Sequence, residues 1–172
     1  MVSRHGAETA LVAVCLKPLL LGPATGPEAV VSVSRSLRAQ AAIHGVLTQH
    51  CEAVGARDER TLLARCASME TAVEVALEVM SWADGLVADA HDVPVGIAVG
   101  HGLVITHPAG PWFGPELARV ARVADLADGV FLTASGAEAL GDPPAGVGLA
   151  DVSAGLRGLL GDGVRRLADY RG

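Results

Sequence analysis

The run Ala10-Leu-Val-Ala-Val-Cys-Leu16 contains no polar position. An unbroken apolar run of this length predicts a central strand covered on both faces. Lys17-Pro18 ends it, because proline cannot donate to a ladder. Residues 1–9 read as a loose start, and Gly22 to Pro27 as a loop in which Pro27 suits the first turn of a helix. From there to about Val54, the positions Val30, Val33, Leu37, Ala41, Val46 and Leu47 recur at helical spacing. Gly45 interrupts this pattern and marks a kink or a break between two helices.

Gly55 to Glu59 reads as a turn and Thr61 to Cys66 as a strand. Ser68 is an N-cap for a helix from Thr71 to about Ala90. Glu70, Glu74 and Glu78 line its wet side, and Val73, Ala76, Leu77 and Met80 face inward. His91-Asp92 is a turn. Val93 to Val99 is a strand, Gly100-His-Gly102 a tight reversal, and Leu103 to Thr106 its partner. A loop from His107 to Pro111 leads to a helix over about 114–127 and a strand over Gly129 to Thr133. Ser135 caps a short helix to Leu140, and 141–146 is a loop. Val147 to Asp151 and Val164 to Tyr170 predict two short edge strands around Gly155 to Gly163.

This order is a βαββαβ core with additions, helices lying on one face of a mostly antiparallel sheet. The fold class is α+β, of ferredoxin-like type. Such folds host many activities, so the fold by itself assigns none.

Composition narrows the classes. A chain of 172 residues reads as a single domain, residues 1–172. Aromatics are only 3%, so the core is built from small and branched aliphatics. Thirteen basic residues against 19 acidic give a net charge of −6, which argues against nucleic acid as a partner. No apolar run approaches the about 20 residues of a membrane span. Arg4 and His5 precede Leu11 to Leu16, but Glu8 and Lys17 bracket that run, so it reads as a buried strand rather than a leader. Cys15, Cys51 and Cys66 lack CxxC spacing and read as reduced thiols of a cytoplasmic protein, behaving as small hydrophobes.

Three segments carry a resemblance: Pro94-Val-Gly-Ile-Ala-Val-Gly-His-Gly-Leu-Val104, Phe113-Gly-Pro-Glu-Leu-Ala-Arg-Val-Ala-Arg-Val123, and Gly129-Val-Phe-Leu-Thr133. Their order resembles the second half of a class III nucleotidyl (adenylate/guanylate) cyclase catalytic domain. The likeness covers about residues 10–140 and is strongest from Thr61 to Leu140, leaving 141–172 as a C-terminal extension with extra strands. It implies a cleft between two subunits. There, two Asp residues hold two Mg²⁺ or Mn²⁺ ions on a nucleoside triphosphate, and an Asn and an Arg position the ribose and phosphate. Such ions need hard oxygen ligands.

Most of that inventory is missing. The first Asp falls at Cys15 or Leu16, and no acidic residue lies between Glu8 and Glu28. A thiol or an isobutyl group does not hold a hard cation. The second Asp falls on Arg60, with Asp58 and Glu59 close by as turn residues or as a rebuilt metal site. The Asn is replaced by Ala118. The Arg is kept as Arg122, which shares a helix face with Ala118 and reads equally as a phosphate contact or a solvated charge. Arg119 reads as surface. Arg57 and Glu52 offer no convincing match to the family's substrate-selecting Lys. No P-loop exists, Gly96, Gly100 and Gly102 do not make a dinucleotide fingerprint, and His44 and His50 fall on different helix faces.

The expectation is a degenerate cyclase-homology domain, a dimerising, regulatory or nucleotide-binding module of cyclic-nucleotide signalling. Its partners are expected to be a second copy in a head-to-tail homodimer, or an intact cyclase in a heterodimer to which this chain lends only Arg122. ATP or GTP is the candidate nucleotide. The competing readings are an active cyclase with Mg²⁺ or Mn²⁺ relocated to Asp58 or Glu59, and a structural α+β protein with no nucleotide link.

Overall fold

The computed structural model describes residues 5–17, 27–88, 94–106 and 111–168. The Gly22–Gly26 loop, the His91-Asp92 turn, the His107–Gly110 loop and Tyr170 lie outside the described residues. Strand β1 (His5–Leu16) runs through the middle of the molecule, followed by helix α1 (Pro27–His50). Then come β2 (Ala53–Ala56), β3 (Thr61–Cys66), α2 (Met69–Ala88) and β4 (Val95–Thr106). Helix α3 (Pro115–Leu126), β5 (Gly129–Leu132) and α4 (Ala134–Leu140) complete the second unit. Strand β6 (Gly148–Asp151), α5 (Ala154–Leu160) and β7 (Arg165–Ala168) follow.

The seven strands form one sheet in the order β2-β3-β1-β4-β5-β7-β6. The segment β1α1β2β3α2β4 is a ferredoxin-like βαββαβ core, with β2-β3-β1-β4 antiparallel throughout. Strand β5 joins β4 in parallel, and the C-terminal strands extend the sheet beyond it. The class is α+β, as the residue pattern predicts.

Alternation along β1 builds two cores. Ala10, Val12, Val14 and Leu16 pack with Ile43 and Leu47 of α1 and with Val73, Ala76 and Met80 of α2. Leu11, Ala13 and Cys15 point the other way, onto Leu117, Val120, Ala121 and Ala124 of α3. Helices therefore cover both faces of the sheet, not one. That is why the Ala10–Leu16 run is apolar at every position.

Other expectations are corrected too. The Gly100–Gly102 segment is no reversal: β4 pairs with β1 without a break from Val95↔Leu16 to Thr106↔His5. The glycines answer to α3 instead. A Cβ on Gly100 would sit 2.5 Å from both Glu116 Oε1 and Val120 Cγ1, and one on Gly102 would sit 2.8 Å from Glu116 Cβ. Strand glycines here permit close approach of a helix. Gly45 lies within a single unbroken α1. Gly55 belongs to β2, so the turn is confined to residues 57–60. Thr133, not Ser135, caps α4, its Oγ1 accepting from the Gly136 N–H. Strand β7 lies inside the sheet between β5 and β6, and a helix, α5, connects the last two strands. Ser68 does cap α2, its Oγ accepting from the Thr71 N–H at 3.1 Å.

Candidate functional site

The end of β1 and the β2–β3 turn meet, as the resemblance requires. Cys15 is opposite Thr61 in the ladder, and the Leu16 N–H donates to the Arg60 carbonyl at 2.9 Å. The side chains gathered there are of the wrong chemistry for two divalent ions. Lys17 Nζ donates to the Ala124 carbonyl at 2.8 Å and to the Asp125 carbonyl, at the last turn of α3. Arg60 Nη2 lies 4.0 Å from Asp125 Oδ1. The Cys15 thiol donates to the same Asp125 Oδ1 at 3.6 Å. Partial burial pushes the Cys15 thiol up and Lys17 down, the latter against the opposing pull of Cys15 and Asp125.

Asp58 is engaged in its own turn. Its Oδ1 accepts from the Arg60 and Thr61 N–H groups, each at 2.9 Å. This is the local bonding expected of an Asp in a tight turn. Partial burial works against its charge, but those N–H groups and the Arg60 charge outweigh it, holding the carboxyl below its ordinary range. Glu59 is exposed, and its carbonyl accepts from Gln40 Nε2. Two carboxylates are present, but Asp58 serves its turn and Asp125 already faces the Cys15 thiol and the Arg60 guanidinium. With the Lys17 ammonium beside them, this set does not fit a pair of hard cations. Among the described residues, no three His, Cys, Asp or Glu side chains converge to hold a metal.

Helix α3 carries the transferred positions. Its buried side is Glu116, Leu117, Val120, Ala121, Val123 and Ala124. Ala118, Arg122 and Asp125 are exposed, on a common outward side. No hydrogen bond or ion pair joins Arg122 to another described residue. Arg57 lies in the β2–β3 turn. Glu52 sits at the far end of the hairpin, in an ion pair with Arg65 at 3.2 Å. His50 faces Glu78 at 3.2 Å, and His44 is exposed.

Sequence reasoning missed two features. Glu116 is 3% exposed, a buried carboxylate in the first turn of α3. It accepts from Thr133 Oγ1 at 2.5 Å, Ser135 Oγ at 2.7 Å and Arg119 Nη1 at 2.8 Å. This ties α3 to the start of α4, and the helix N-terminus favours its charge. Arg119 is thus a partner of Glu116 as well as a surface group. A signal existed in Gly100 and Gly102, which leave room on β4 for that carboxylate. The second missed feature is the Lys17–α3 clamp, for which the sequence holds no local signal.

No family model matches the sequence, and no curated protein matches it. Solved structures do match. The adenylyl cyclase CyaB from P. aeruginosa superposes at TM-score 0.70 with 9% identity, covering 99% of this chain and 98% of that one. An adenylate/guanylate cyclase/hydrolase from Silicibacter pomeroyi gives 0.63 with 16% identity, covering 96% of each chain. The non-canonical dimeric guanylyl cyclase domain of the RhoGC fusion protein from the aquatic fungus Blastocladiella emersonii gives 0.64 with 8% identity, covering 90% and 93%. At these identities the likeness is one of backbone: the chain has the fold of the class III nucleotidyl cyclase catalytic domains.

Proposed function

We propose that this chain is a divergent class III cyclase-homology domain that has lost metal-dependent cyclisation. It serves cyclic-nucleotide signalling as a dimerising, regulatory module and keeps a nucleotide contact at Arg122. The observation that carries this reading is the placement of Lys17 and Arg60 around Asp125, where the fold's two metal-binding carboxylates would be expected. Two unit charges about 4 Å apart near a protein surface interact by roughly 4 kcal/mol, and a dication doubles that. An ammonium and a guanidinium therefore oppose a divalent ion strongly. Arg122 alone leaves most of the barrier to cyclisation in place.

Pairing with a second copy, head to tail, is the default partner arrangement. A structural neighbour that forms a non-canonical dimer supports pairing as such, not this geometry. In that arrangement the outward side of α3, with Ala118 and Arg122, faces the β1 end of the other copy. An intact cyclase in place of the second copy would receive only Arg122. The exposure of Arg122 and its freedom from other described residues suit it to a phosphate.

Thermal denaturation with ATP or GTP, without metal, tests the nucleotide contact. The reading expects a rise in Tm that disappears in Arg122→Ala. No rise with either nucleotide, or an equal rise in the variant, would contradict it. Sedimentation of the same sample tests the pairing, where a monomer at all concentrations would count against a homodimer.

A second reading is a working cyclase with a rebuilt metal site. It is favoured by one observation: Asp58 lies in the turn beside the end of β1, and both backbone N–H groups of the turn that it accepts from bond to Oδ1.

A further inference from the structure

Cys51 and Cys66 lie with their sulfurs 3.1 Å apart, although they are 15 positions apart in the chain. Both backbones are anchored. The Cys51 N–H donates to the Leu47 carbonyl at 2.9 Å, extending the last turn of α1. Cys66 ends β3, pairs with Ala10 of β1, and accepts from Thr9 Oγ1 through its carbonyl at 3.2 Å. Between them, the Glu52 N–H donates to the Arg65 carbonyl at 2.8 Å. The sulfurs are already within contact, and a covalent bond of about 2.05 Å asks for a shift of roughly 1 Å between them.

The two thiols are not equivalent. Cys66 is 1% exposed, whereas Cys51 is half-buried. Hydrogen bonding from the Cys66 thiol draws Cys51 down, and the same contact together with burial pushes Cys66 up. The thiolate is the reactive form, so Cys51 is the first to react. Cys66 also lines a cleft of about 580 Å³, together with Glu8, Thr9, Glu52, Arg65 and His101. Cys15 is on the opposite face of the sheet, its sulfur toward Asp125.

We propose that Cys51 and Cys66 are a redox pair that closes to an intramolecular disulfide when the protein meets a peroxide. The Cys51 thiolate attacks one oxygen of hydrogen peroxide and the O–O bond breaks. The leaving hydroxide takes up the proton that Cys51 released on ionising and departs as water, leaving Cys51 as a sulfenic acid. The Cys66 sulfur then attacks the Cys51 sulfur. The S–O bond breaks, and the hydroxyl departs with the Cys66 proton as a second water. Two thiols lose two electrons, and one peroxide becomes two waters. The bridge closes a loop that contains the whole β2–β3 hairpin, including the turn of Asp58 and Arg60. Oxidation therefore ties the base of the hairpin that borders the candidate site to the end of α1. This inference does not depend on nucleotide binding.

The test treats the reduced full chain with hydrogen peroxide. Free thiols should fall from three to one, and peptide mapping without reductant should recover a Cys51–Cys66 cross-link. The Tm should rise by roughly 5–10 °C and return on adding dithiothreitol. Cys15→Ser should show the same cross-link and the same rise. Cys51→Ser, changed at a half-buried position, should show neither. Three thiols surviving, cross-links only between chains, or oxidation ending as sulfinic acid at Cys51 with Cys66 free would each overturn the proposal.

Discussion

Lys17 reaches from the end of β1 to Ala124, its ammonium donating to that carbonyl at 2.8 Å and so closing the last turn of α3. The carbonyls at a helix C-terminus lack partners of their own and carry the negative end of its dipole. A cation there ties the end of β1 to the end of α3. Replacing Lys17 with Met keeps the stem and removes the donor. The expected loss is about 1–2 kcal/mol in urea denaturation with an unchanged slope. A loss near zero would show that the clamp is not formed in solution.

Glu116 makes a second prediction. Its carboxylate answers two hydroxyls, of Thr133 and Ser135, inside a nearly closed site. Glu116→Ala leaves both hydroxyls without this acceptor and opens a small void. The expected cost is about 2–4 kcal/mol, with Glu116→Gln intermediate because its amide oxygen still accepts. Equal stability of the Ala and Gln variants would contradict this account of the network.

The pH dependence of the β2–β3 turn gives a third. Asp58 is held below its ordinary range in the folded protein, so its unfolded form takes up a proton first as pH falls. Its contribution is present above the unfolded pKa of about 3.9 and is lost as pH falls through the folded value. Asp58→Ala should therefore be less stable than the parent by about 1 kcal/mol at neutral pH, with the gap closing in acid. A gap that stays constant down to pH 3 would mean that the carboxylate charge plays no part in the turn.

The sequence carried much of the architecture, because burial on two faces writes itself directly into a strand such as Ala10–Leu16. It misled at Gly100 and Gly102. Locally, two glycines flanking His101 read as a reversal, but the side chains that require them, Glu116 and Val120, belong to another element. That Cys15 and Arg60 are not carboxylates was legible as residue identity alone. The contact of Lys17 with the end of α3 was not, because Lys17 and Asp125 are 108 positions apart and nothing local joins them. The same holds for Cys51 and Cys66, whose closeness depends on how α1 ends against β3.

On the proposed function, the side chains gathered at the end of β1 do not support metal-dependent cyclisation. Purified full chain incubated with ATP or GTP and Mn²⁺, with cyclic product followed by mass spectrometry, tests it most directly. The account predicts no product above that of a buffer control, with Asp58→Ala indistinguishable from the parent. Cyclic nucleotide accumulating with the parent chain and lost on Asp58→Ala would contradict it.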